Sequence, residues 1–530
     1  MVFNAELSGV RSLDREKPKQ DKFQPGSVWL VGAGPGDPGL LTLLAAKALG
    51  EADVIVYDRL ATPALLRVAR PEAETIFVGK SSAGHTMVQA EINDLLVRKA
   101  KEGKMVVRLK GGDPFLFGRG GEEAQALAAH GIEFEVVPGI TAATAVPCYA
   151  GIPVTQRGIT SSLSIVTGHE DPSKEESSIA WDKIATGADT LVFLMAVENL
   201  EQIVERLLAC GRAPATPAAL IQDGTGPSQK TIVGTLADIA TQARESLVVP
   251  PAIFLVGNVV SMRNSLRWFD NRPLFGKRVL VTRAEPQASR LSELLEDHGA
   301  HAVEVPTITI QLLSDYSELH DAILSLSEYS WVIFTSTNGV EAFFDQLAHL
   351  RLDARQFGDV KVCAIGPATA QTLRQRALIP DYVPAKFVSE AIVEGLAEER
   401  IAGSRILVPR AAGARPDLVE GLERLGATVH EIATYRTLPA PEMEDATRRM
   451  LLEGQIDITT FTSSSTVRNF ASMLGNEWGA VATTTVACIG PITAAAAADY
   501  GLRVDIVAEE FTIPGLVQSL ANHFRRSQGG

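Results

Sequence analysis

A carboxylate inside a glycine-rich turn is the residue combination with the clearest chemical meaning in this sequence. Gly111, Gly112 and Asp113 follow an apolar strand at residues 106–110 and precede a helix start. Turns of this kind commonly bind phosphate through bare N–H groups and the positive end of a helix. Because Asp113 adds a negative charge there, the turn favours a ligand that is neutral or cationic.

A second turn, between Gly32 and Gly39, has the same character and contains Pro35 and Asp37. The dinucleotide fingerprint G-x-G-x-x-G requires glycine where Asp37 stands. Pro35 also lacks an N–H group that a pyrophosphate would use. The alternatives are an ordinary strand-to-helix turn and a nicotinamide-binding turn, and Asp37 argues against the second.

Composition limits the possible functions. The chain has 530 residues and a net charge of −14, which disfavours a nucleic-acid partner. Its length suggests three to four domains of about 150 residues. The four cysteines lie far apart and the histidines form no metal-ligand motif, so we expect reduced thiols, no metal and a cytoplasmic location. Residues 1–25 are predicted to be a disordered tail without a secretory signal, and no stretch is apolar enough to span a membrane.

Strands and helices alternate along the chain, which predicts an α/β fold with parallel sheets. The second half contains an internal repeat: residues 278–283 recur as 405–410, and residues 364–370 recur as 488–494 around Ile-Gly-Pro. Two copies are too few for a solenoid. The repeat predicts two lobes, 276–396 and 403–525, with a cleft between them. Hydroxyl residues at helix starts in both lobes favour a ligand with several carboxylates, although helix capping alone is the alternative.

Residues 26–265 resemble uroporphyrinogen-III C-methyltransferase, a tetrapyrrole methylase, and residues 276–525 resemble uroporphyrinogen-III synthase. The methylase resemblance is carried by residues 31–37, 57–60, 78–80, 89–93, 108–123, 137–142 and 151–155. The resemblance implies a two-subdomain methylase followed by a two-lobed synthase. The implied boundaries are 26–140 and 141–265 for the methylase, 266–275 for a linker, 276–309 plus 438–525 for synthase lobe 1, and 310–437 for lobe 2.

The methylase resemblance implies S-adenosylmethionine as methyl donor, which is cationic and carries no phosphate. The implied donor contacts are Pro35, Gly111, Gly112, Asp113, Leu116, Thr141, Ala142, Met195 and Gly224. As a bare residue, Met195 is more often a core side chain, so only the family pattern makes it a donor contact. Asp58 and Lys80 match the proposed acid–base pair of the family. Asp58 as a helix cap and Lys80 as a binding charge remain alternatives.

The implied substrate carries eight carboxylates and therefore requires cations around its site. The candidates are Arg59, Lys80, Arg108, Lys110, Arg119 and Arg157, and we favour Arg119 because a guanidinium binds both oxygens of a carboxylate. Gln156 departs from the family pattern, which has histidine there. Glutamine keeps hydrogen bonding but does not titrate near neutral pH.

The synthase resemblance implies closure of linear hydroxymethylbilane with inversion of the last ring, without a metal or cofactor. Tyr435 matches the tyrosine of the family and is expected to help the hydroxyl group leave as water; a buried hinge residue is the alternative. The expected carboxylate cradle consists of Ser336, Asn338, Ser463, Ser464 and Thr493.

Together these resemblances predict a bifunctional cytoplasmic enzyme, a homodimer through its methylase half. It would make uroporphyrinogen III and methylate it twice to precorrin-2, for sirohaem or cobalamin. The alternative is a methylase of a later corrin precursor fused to a two-lobed ligand-binding module. Neither interpretation includes a nucleic-acid or membrane partner.

Overall fold

The computed structural model describes residues 24–79, 87–169, 177–283, 287–440 and 442–528. The chain divides into two compact units, one of residues 1–277 with 298–301 and one of residues 278–297 with 302–530. Almost all of the predicted tail, residues 1–25, lies outside the described residues. No helix in the described part of the chain is long and apolar enough to cross a membrane.

The first sheet of the first unit is parallel throughout. Its elements are β1 (Val28–Gly32), α1 (Leu43–Glu51), β2 (Val54–Tyr57), β3 (Glu74–Phe77), α2 (Gln89–Lys101), β4 (Val106–Lys110), α3 (Gly120–Ala129), β5 (Phe134–Val137) and α4 (Ala142–Tyr149). The strand order is β3-β2-β4-β1-β5. Every residue of the central strands β1 and β4 is buried, as expected for a parallel sheet covered on both faces.

The second sheet of this unit is mixed, so the prediction of parallel sheets is wrong here. Its elements are β6 (Leu163–Thr167), α5 (Trp181–Gly187), β7 (Thr190–Leu194), α6 (Leu200–Ala209), β8 (Pro217–Gln222), β9 (Lys230–Thr235), α7 (Ile239–Glu245), β10 (Ala252–Val256) and α8 (Arg263–Leu266). In the order β6-β7-β10-β8-β9, only β6 and β7 are parallel neighbours. The loop between β8 and β9 is too short for the crossover that a parallel pair needs.

The predicted linker, residues 266–275, packs against the first unit. The indole N–H of Trp268 donates to the carbonyl oxygen of Cys148 at 2.9 Å. The rings of Trp268 and Phe269 lie 5.0 and 4.7 Å from the ring of Tyr149 at the end of α4. Arg263 and Asp270 form a largely buried ion pair beside them. These contacts make the segment part of the methylase-like unit, because aromatic burial of this kind fixes a chain segment.

The second unit contains ten strands and ten helices among its described residues. The strands are β11 (Arg278–Val281), β12 (His301–Glu304), β13 (Ile308–Leu312), β14 (Trp331–Phe334), β15 (Lys361–Ala364), β16 (Arg405–Ala411), β17 (Thr428–Pro439), β18 (Ile458–Phe461), β19 (Thr485–Cys488) and β20 (Ile506–Val507). The helices are α9 (Gln287–Asp297), α10 (Ser317–Leu324), α11 (Thr337–His349), α12 (Pro367–Gln375), α13 (Ser389–Glu398), α14 (Asp417–Arg424), α15 (Asp445–Leu452), α16 (Ser464–Leu474), α17 (Pro491–Asp499) and α18 (Ile513–Gln528).

The strands of the second unit form two sheets, and in the sequence the strands of the second sheet interrupt those of the first. One has the order β12-β11-β18-β19-β20 and the other the order β13-β17-β16-β14-β15. The chain therefore leaves the first sheet after β12 and returns to it at β18. The edge strand β13 runs antiparallel to β17, so this sheet is mixed as well. The strands β14 and β18 lead into α11 and α16, and β15 and β19 lead into α12 and α17.

Short 3₁₀ helices complete both units. They span Pro38–Leu40, Pro63–Val68, Val197–Asn199 and Asn258–Met262 in the first unit, and Leu326–Glu328, Ala354–Phe357 and Gly475–Thr483 in the second.

Candidate active sites

Three glycine turns of the first unit meet where β1, β4 and β5 end. The N–H of Gly112 donates to the carbonyl oxygen of Gly34 at 2.7 Å, and the N–H of Gly34 donates to that of Gly112 at 3.2 Å. A Cβ atom on Gly139 would lie 2.1 Å from the Gly112 oxygen, and one on Gly32 would lie 2.4 Å from the Gly139 Cα atom. Glycine is needed here because these turns approach more closely than side chains permit.

The carboxylate of Asp113 closes this group of turns. Its Oδ1 accepts from the N–H groups of Phe115 and Leu116 at 2.8 and 3.0 Å, and its Oδ2 accepts from the N–H of Gly139 at 3.1 Å. The donors that a phosphate would use in such a turn are thus occupied by the protein's own carboxylate. The turn therefore disfavours phosphate for two reasons: Asp113 repels an anion, and it already occupies the N–H groups that an anion would use.

Asp37 joins the first turn to the second subdomain. Its Oδ2 accepts from the hydroxyl of Tyr149 at 2.7 Å, and its Oδ1 accepts from the N–H of Gly39 at 2.7 Å. The N–H of Asp37 donates to Oγ1 of Thr225 at 3.1 Å. Burial, together with the hydrogen bond to Asp37, raises the pKa of Tyr149. Tyr149 therefore remains a donor to the carboxylate well into the alkaline range.

The other residues expected to bind the methyl donor near the first sheet lie on the same turns. Pro35 follows β1, Gly111 and Leu116 follow β4, and Thr141 and Ala142 stand at the start of α4. Oγ1 of Thr141 caps α4 by accepting from the N–H of Ala143 at 3.2 Å. The structure therefore groups these five residues at one edge of the parallel sheet, where ligands of α/β proteins bind.

Met195 and Gly224 lie on loops of the second sheet. Met195 follows β7, has a φ of 57° and is 49% exposed, so it is not a core residue. A Cβ atom on Gly224 would lie 2.3 Å from a methyl group of Val146, which explains the glycine.

Backbone strain is concentrated around these loops. Among the described non-glycine residues, nine have a positive φ, and five of those are Phe117, Arg119, Met195, Asp223 and Thr225. Each such residue costs free energy and persists only where surrounding contacts enforce it, which is typical of ligand sites.

Asp58 lies at the end of β2 and is held by a buried network of charges. Its Oδ1 accepts from the N–H of Leu60 at 3.0 Å, and its Oδ2 accepts from Nη2 of Arg108 at 3.0 Å. Arg108 also donates through Nε to Oε1 of Glu123 at 3.1 Å, and Nζ of Lys110 donates to that oxygen at 2.8 Å. The predicted partner Lys80 lies outside the described residues.

Arg108 and Lys110 are not cations of a substrate surface, which corrects the sequence prediction. Their side chains are 4% and 5% exposed. Both lie on the same face of the central strand β4, because alternate residues of a strand point to one side. Burial and the nearby Arg108 charge lower the pKa of Lys110, although Glu123 acts in the opposite direction.

Three predicted substrate cations are exposed. Arg59 follows Asp58, and Arg157 follows Gln156, whose backbone forms a narrow turn with Thr160. Arg119 precedes α3 and makes two hydrogen bonds of 2.8 Å to the carboxylate of Glu122. Such an exposed ion pair contributes little to stability, so Arg119 remains available to another carboxylate.

In the second unit, the structure brings Tyr435, Ser336 and Asn338 together. The hydroxyl oxygens of Tyr435 and Ser336 are 2.9 Å apart, and Oγ of Ser336 also accepts from the N–H of Gly339 at the start of α11. Tyr435 is buried on β17. Burial raises the pKa of its hydroxyl, while hydrogen bonds from Ser336 and Asn338 act in the opposite direction. The hydroxyl is therefore protonated at neutral pH and able to donate.

The remaining residues of the expected carboxylate cradle lie at the starts of the helices that follow β18 and β19. Ser463 caps α16 by accepting from the N–H of Thr466 at 3.2 Å, and the hydroxyl of Ser464 donates to the carbonyl oxygen of Ile492 at 3.2 Å. The N-terminal ends of α16 and α17 are therefore adjacent. Thr493 is only 5% exposed, so its hydroxyl offers little surface to a ligand.

Sequence reasoning missed Glu123, Gln89, Tyr149 and Thr225. Glu123 stands beside Glu122 at the start of α3, and the sequence does not show which of the two is buried, because glutamate is almost never fully buried unless it is paired. The interactions of Tyr149 and Thr225 with Asp37 join residues 112 and 188 positions apart, which no local pattern reveals.

Comparison with known proteins identifies the families of the two units. The family model described as tetrapyrrole (corrin/porphyrin) methylases matches residues 27–240, and the model described as uroporphyrinogen-III synthase HemD matches residues 289–518. The first unit is thus a tetrapyrrole methylase and the second a uroporphyrinogen-III synthase.

The relatives include one that spans both halves. Porphyrin biosynthesis protein HemD of Ruminiclostridium josui is 39% identical over 94% of this chain and 98% of its own length. The S-adenosyl-L-methionine-dependent uroporphyrinogen III methyltransferase of Methanosarcina barkeri is 57% identical over 46% of this chain and 94% of its own length. A crystal structure of uroporphyrin-III C-methyl transferase from Thermus thermophilus with S-adenyl homocysteine is 40% identical, covers 44% of this chain and 99% of that one, and has a TM-score of 0.39.

The chain belongs to the family of porphyrin biosynthesis proteins that fuse a tetrapyrrole methylase to a uroporphyrinogen-III synthase. The resemblance drawn from the motifs is thereby confirmed, as are the two enzyme classes and S-adenosylmethionine as methyl donor.

Proposed function

We propose that this enzyme closes hydroxymethylbilane to uroporphyrinogen III and then methylates the product twice to precorrin-2. The observation that carries the proposal is that one chain holds both a glycine turn sealed by Asp113 and a separate Tyr435–Ser336 pair. The order of the two reactions follows from chemistry, since the macrocycle must exist before its ring carbons can be methylated. The route continues towards sirohaem or cobalamin.

The residues of the first unit fit the methyl donor. The sealed turns have their N–H groups occupied by Asp113, and Met195 presents an exposed apolar surface after β7. We assign donor binding to Pro35, Gly111, Gly112, Asp113, Leu116, Thr141, Ala142, Met195 and Gly224. When bound, S-adenosylmethionine supplies an electrophilic methyl group.

The protein's contribution to methyl transfer is positioning and proton removal. The turns hold the reacting carbon of the tetrapyrrole in line with the methyl group, which is the largest expected source of rate. A pyrrole carbon would form the new C–C bond as the methyl–sulfur bond of the donor breaks and the thioether product, S-adenosylhomocysteine, leaves; the macrocycle must then lose a proton. We assign that proton to the carboxylate of Asp58, with Lys80 as its acid–base partner. Arg59, Arg119 and Arg157 bind the carboxylates of the substrate.

In the second unit, we assign Tyr435 as the residue that assists departure of the hydroxyl group of hydroxymethylbilane. Its hydroxyl is fixed by Ser336, and its raised pKa keeps the proton available. The C–O bond breaks and the hydroxyl group leaves as water with the proton of Tyr435. The terminal ring inverts and closes on the chain, and the proton lost from the ring carbon that forms the new bond returns to Tyr435. Ser336, Asn338, Ser463 and Ser464 form the cradle for the carboxylates of the folded substrate, whereas the buried Thr493 is left out of it.

The test supplies the purified protein with hydroxymethylbilane and S-adenosylmethionine and measures the product mass. The expected product carries two added methyl groups. An unmethylated macrocycle as the only product would overturn the methylase assignment, and failure to close the linear substrate would overturn the synthase assignment. If uroporphyrinogen III is methylated at the concentrations used for a later corrin precursor, that precursor is excluded as the substrate.

We also propose that the protein is a cytoplasmic homodimer through its methylase unit. Reduced cysteines support the location, since all four cysteines are free. Sedimentation of the full chain would test the dimer, and a monomeric mass at micromolar concentration would contradict it.

A further inference from the structure

A buried network of charged side chains lies behind Asp58. One of its members, Glu123, does not reach the substrate surface. Glu123 is completely buried in the first turn of α3. Its Oε1 accepts from Arg108, Lys110 and Gln89 at 3.1, 2.8 and 3.2 Å. Oε2 is buried and has no hydrogen-bond partner among the described residues. Leaving a carboxylate oxygen buried without a partner costs free energy, so the arrangement requires a compensating role.

Arg108 connects Glu123 to Asp58. Its Nε faces Glu123 and its Nη2 faces Asp58, while Nη1 donates to the carbonyl oxygens of Val56 and Leu109 at 3.3 and 2.9 Å. The planar guanidinium has fixed donor directions, so a contact at Nε determines where Nη2 points. Glu123 on α3, together with these carbonyl oxygens, therefore fixes the orientation of the guanidinium that holds Asp58 after β2.

The charges in this network are balanced. Asp58 and Glu123 carry two negative charges, and Arg108 and Lys110 carry two positive charges. Removing one member of a buried pair leaves an uncompensated charge, which is strongly unfavourable. The network therefore keeps the carboxylate of Asp58 at one place without adding net charge beneath the site.

We propose that Glu123 is a positioning residue for methyl transfer, acting on Asp58 through Arg108. This inference rests on the proposed role of Asp58. It predicts that Glu123 affects the chemical step and not the binding of the methyl donor, because Glu123 is buried and its contacts run to Arg108, Lys110 and Gln89.

The test compares Glu123→Gln, Asp58→Asn and the double variant in the full-length protein. Glu123→Gln is expected to lower kcat for methylation of uroporphyrinogen III on the order of 10- to 100-fold, the usual cost of losing a supporting partner behind a functional group. The Kd for S-adenosylmethionine should change less than about twofold, within the scatter of near-neutral substitutions. In the Asp58→Asn background, Glu123→Gln should have almost no further effect, because coupled residues are not additive.

A second variant covers the case in which Glu123→Gln does not fold. Glu123→Gln combined with Lys110→Met removes one charge of each sign and restores neutrality. Its kcat should also be low, since Arg108 has lost its charged partner. Glu74→Gln is the matched control: it breaks an ion pair of 2.7 Å to Lys99, with a carboxylate that is 52% exposed, and should leave kcat unchanged.

The variants distinguish failure of the positioning role from failure of the role of Asp58 and from failure of the proposed function. Wild-type kcat in Glu123→Gln with Lys110→Met, or independent effects of Glu123→Gln and Asp58→Asn, would overturn the positioning role alone. Wild-type kcat in Asp58→Asn would overturn the role of Asp58 and with it this inference. Absence of methylation by the unaltered protein would instead overturn the proposed function.

Discussion

The hydroxyl of Tyr149 donates a 2.7 Å hydrogen bond to Asp37, and the ring of the same tyrosine packs against Trp268 and Phe269. One residue at the end of α4 therefore contacts both the turn after β1 and the segment that leads out of the methylase unit. Removing the hydroxyl separates these two roles, because phenylalanine keeps the ring.

Tyr149→Phe is expected to lower the free energy of unfolding by about 1 kcal/mol at neutral pH, the usual net value of one hydrogen bond. The dependence on pH is more specific. Burial and the bond to Asp37 raise the pKa of Tyr149 in the folded protein. Above about pH 10, tyrosine ionises in the unfolded chain first, so the unfolded state is favoured and stability falls.

Denaturant unfolding between pH 8 and about pH 11 would show this difference, because the interval spans the ordinary pKa of tyrosine. The unaltered protein should lose stability with rising pH more steeply than Tyr149→Phe. Parallel curves for the two proteins would contradict the raised pKa.

Asp113→Asn should weaken donor binding. An amide has one acceptor oxygen, whereas the carboxylate serves three N–H groups, so the turn loses at least one bond and its charge. We expect the Kd for S-adenosylmethionine to rise on the order of tenfold and the free energy of unfolding to fall by about 1–2 kcal/mol. Calorimetric titration and thermal unfolding measure the two effects.

Asp189→Asn is the matched control for that change. Asp189 accepts from the N–H groups of Ser161 and Ser162 at 2.8 and 3.1 Å, and it lies immediately before β7, at the opposite end of that strand from Met195. It should reduce stability while leaving the Kd for the donor unchanged. Equal losses of affinity in both variants would mean that Asp113 acts only through general stability.

Glu122→Gln should improve binding of the tetrapyrrole. The carboxylate of Glu122 now occupies the guanidinium of Arg119, and the pair is exposed, with side chains 52% and 57% accessible. Exposed pairs are worth up to about 1 kcal/mol, so removing the competition of the Glu122 carboxylate for Arg119 should lower KM for uroporphyrinogen III by up to about fivefold. Steady-state kinetics at saturating donor concentration measure this effect.

Glu201→Gln breaks a comparable exposed pair with Arg244 on α6 and α7 and should not change KM. A rise of KM in Glu122→Gln would show that Arg119 needs its glutamate to be oriented correctly, and would contradict competition between Glu122 and the substrate for Arg119.

Tyr435→Phe should slow ring closure and leave methylation intact. The variant keeps the aromatic ring but cannot donate a proton, and general acid assistance is commonly worth about 100-fold in rate. Cyclisation is followed with hydroxymethylbilane, and methylation with uroporphyrinogen III supplied directly. The control is Tyr329→Phe. It removes a hydroxyl that is hydrogen-bonded to His430, which lies at the other end of β17 from Tyr435. An unchanged cyclisation rate in Tyr435→Phe would support its alternative role as a buried structural residue.

Local patterns in the sequence were sufficient for the elements around the site. The strands that end in Gly32 and Lys110 and the glycine turns after them follow from apolar runs and turn residues. The Ser336 and Ser463 caps likewise follow from hydroxyl residues placed just before helices. Each of these features depends on residues that are close together along the chain.

Long-range contacts were beyond such patterns. Arg108 and Lys110 look like surface cations because a sequence shows charge but not burial, and only the neighbouring helix α3 supplies the carboxylate that lets them be buried. Similarly, Trp268 and Phe269 stand between two units in the sequence, yet their packing partner Tyr149 lies more than a hundred positions earlier. The antiparallel order of β7, β10 and β8 is set by packing of the whole sheet and not by any single strand.

The turn sealed by Asp113 takes its hydrogen bonds from the protein's own backbone. A loop that must become ordered on binding loses conformational entropy, and that loss subtracts from the affinity. Here the ordering cost belongs to folding of the protein, so donor binding is expected to be close to a rigid fit. The same fixed shape limits adaptation: a ligand that differs from the methyl donor in charge or outline cannot reshape the turn around itself.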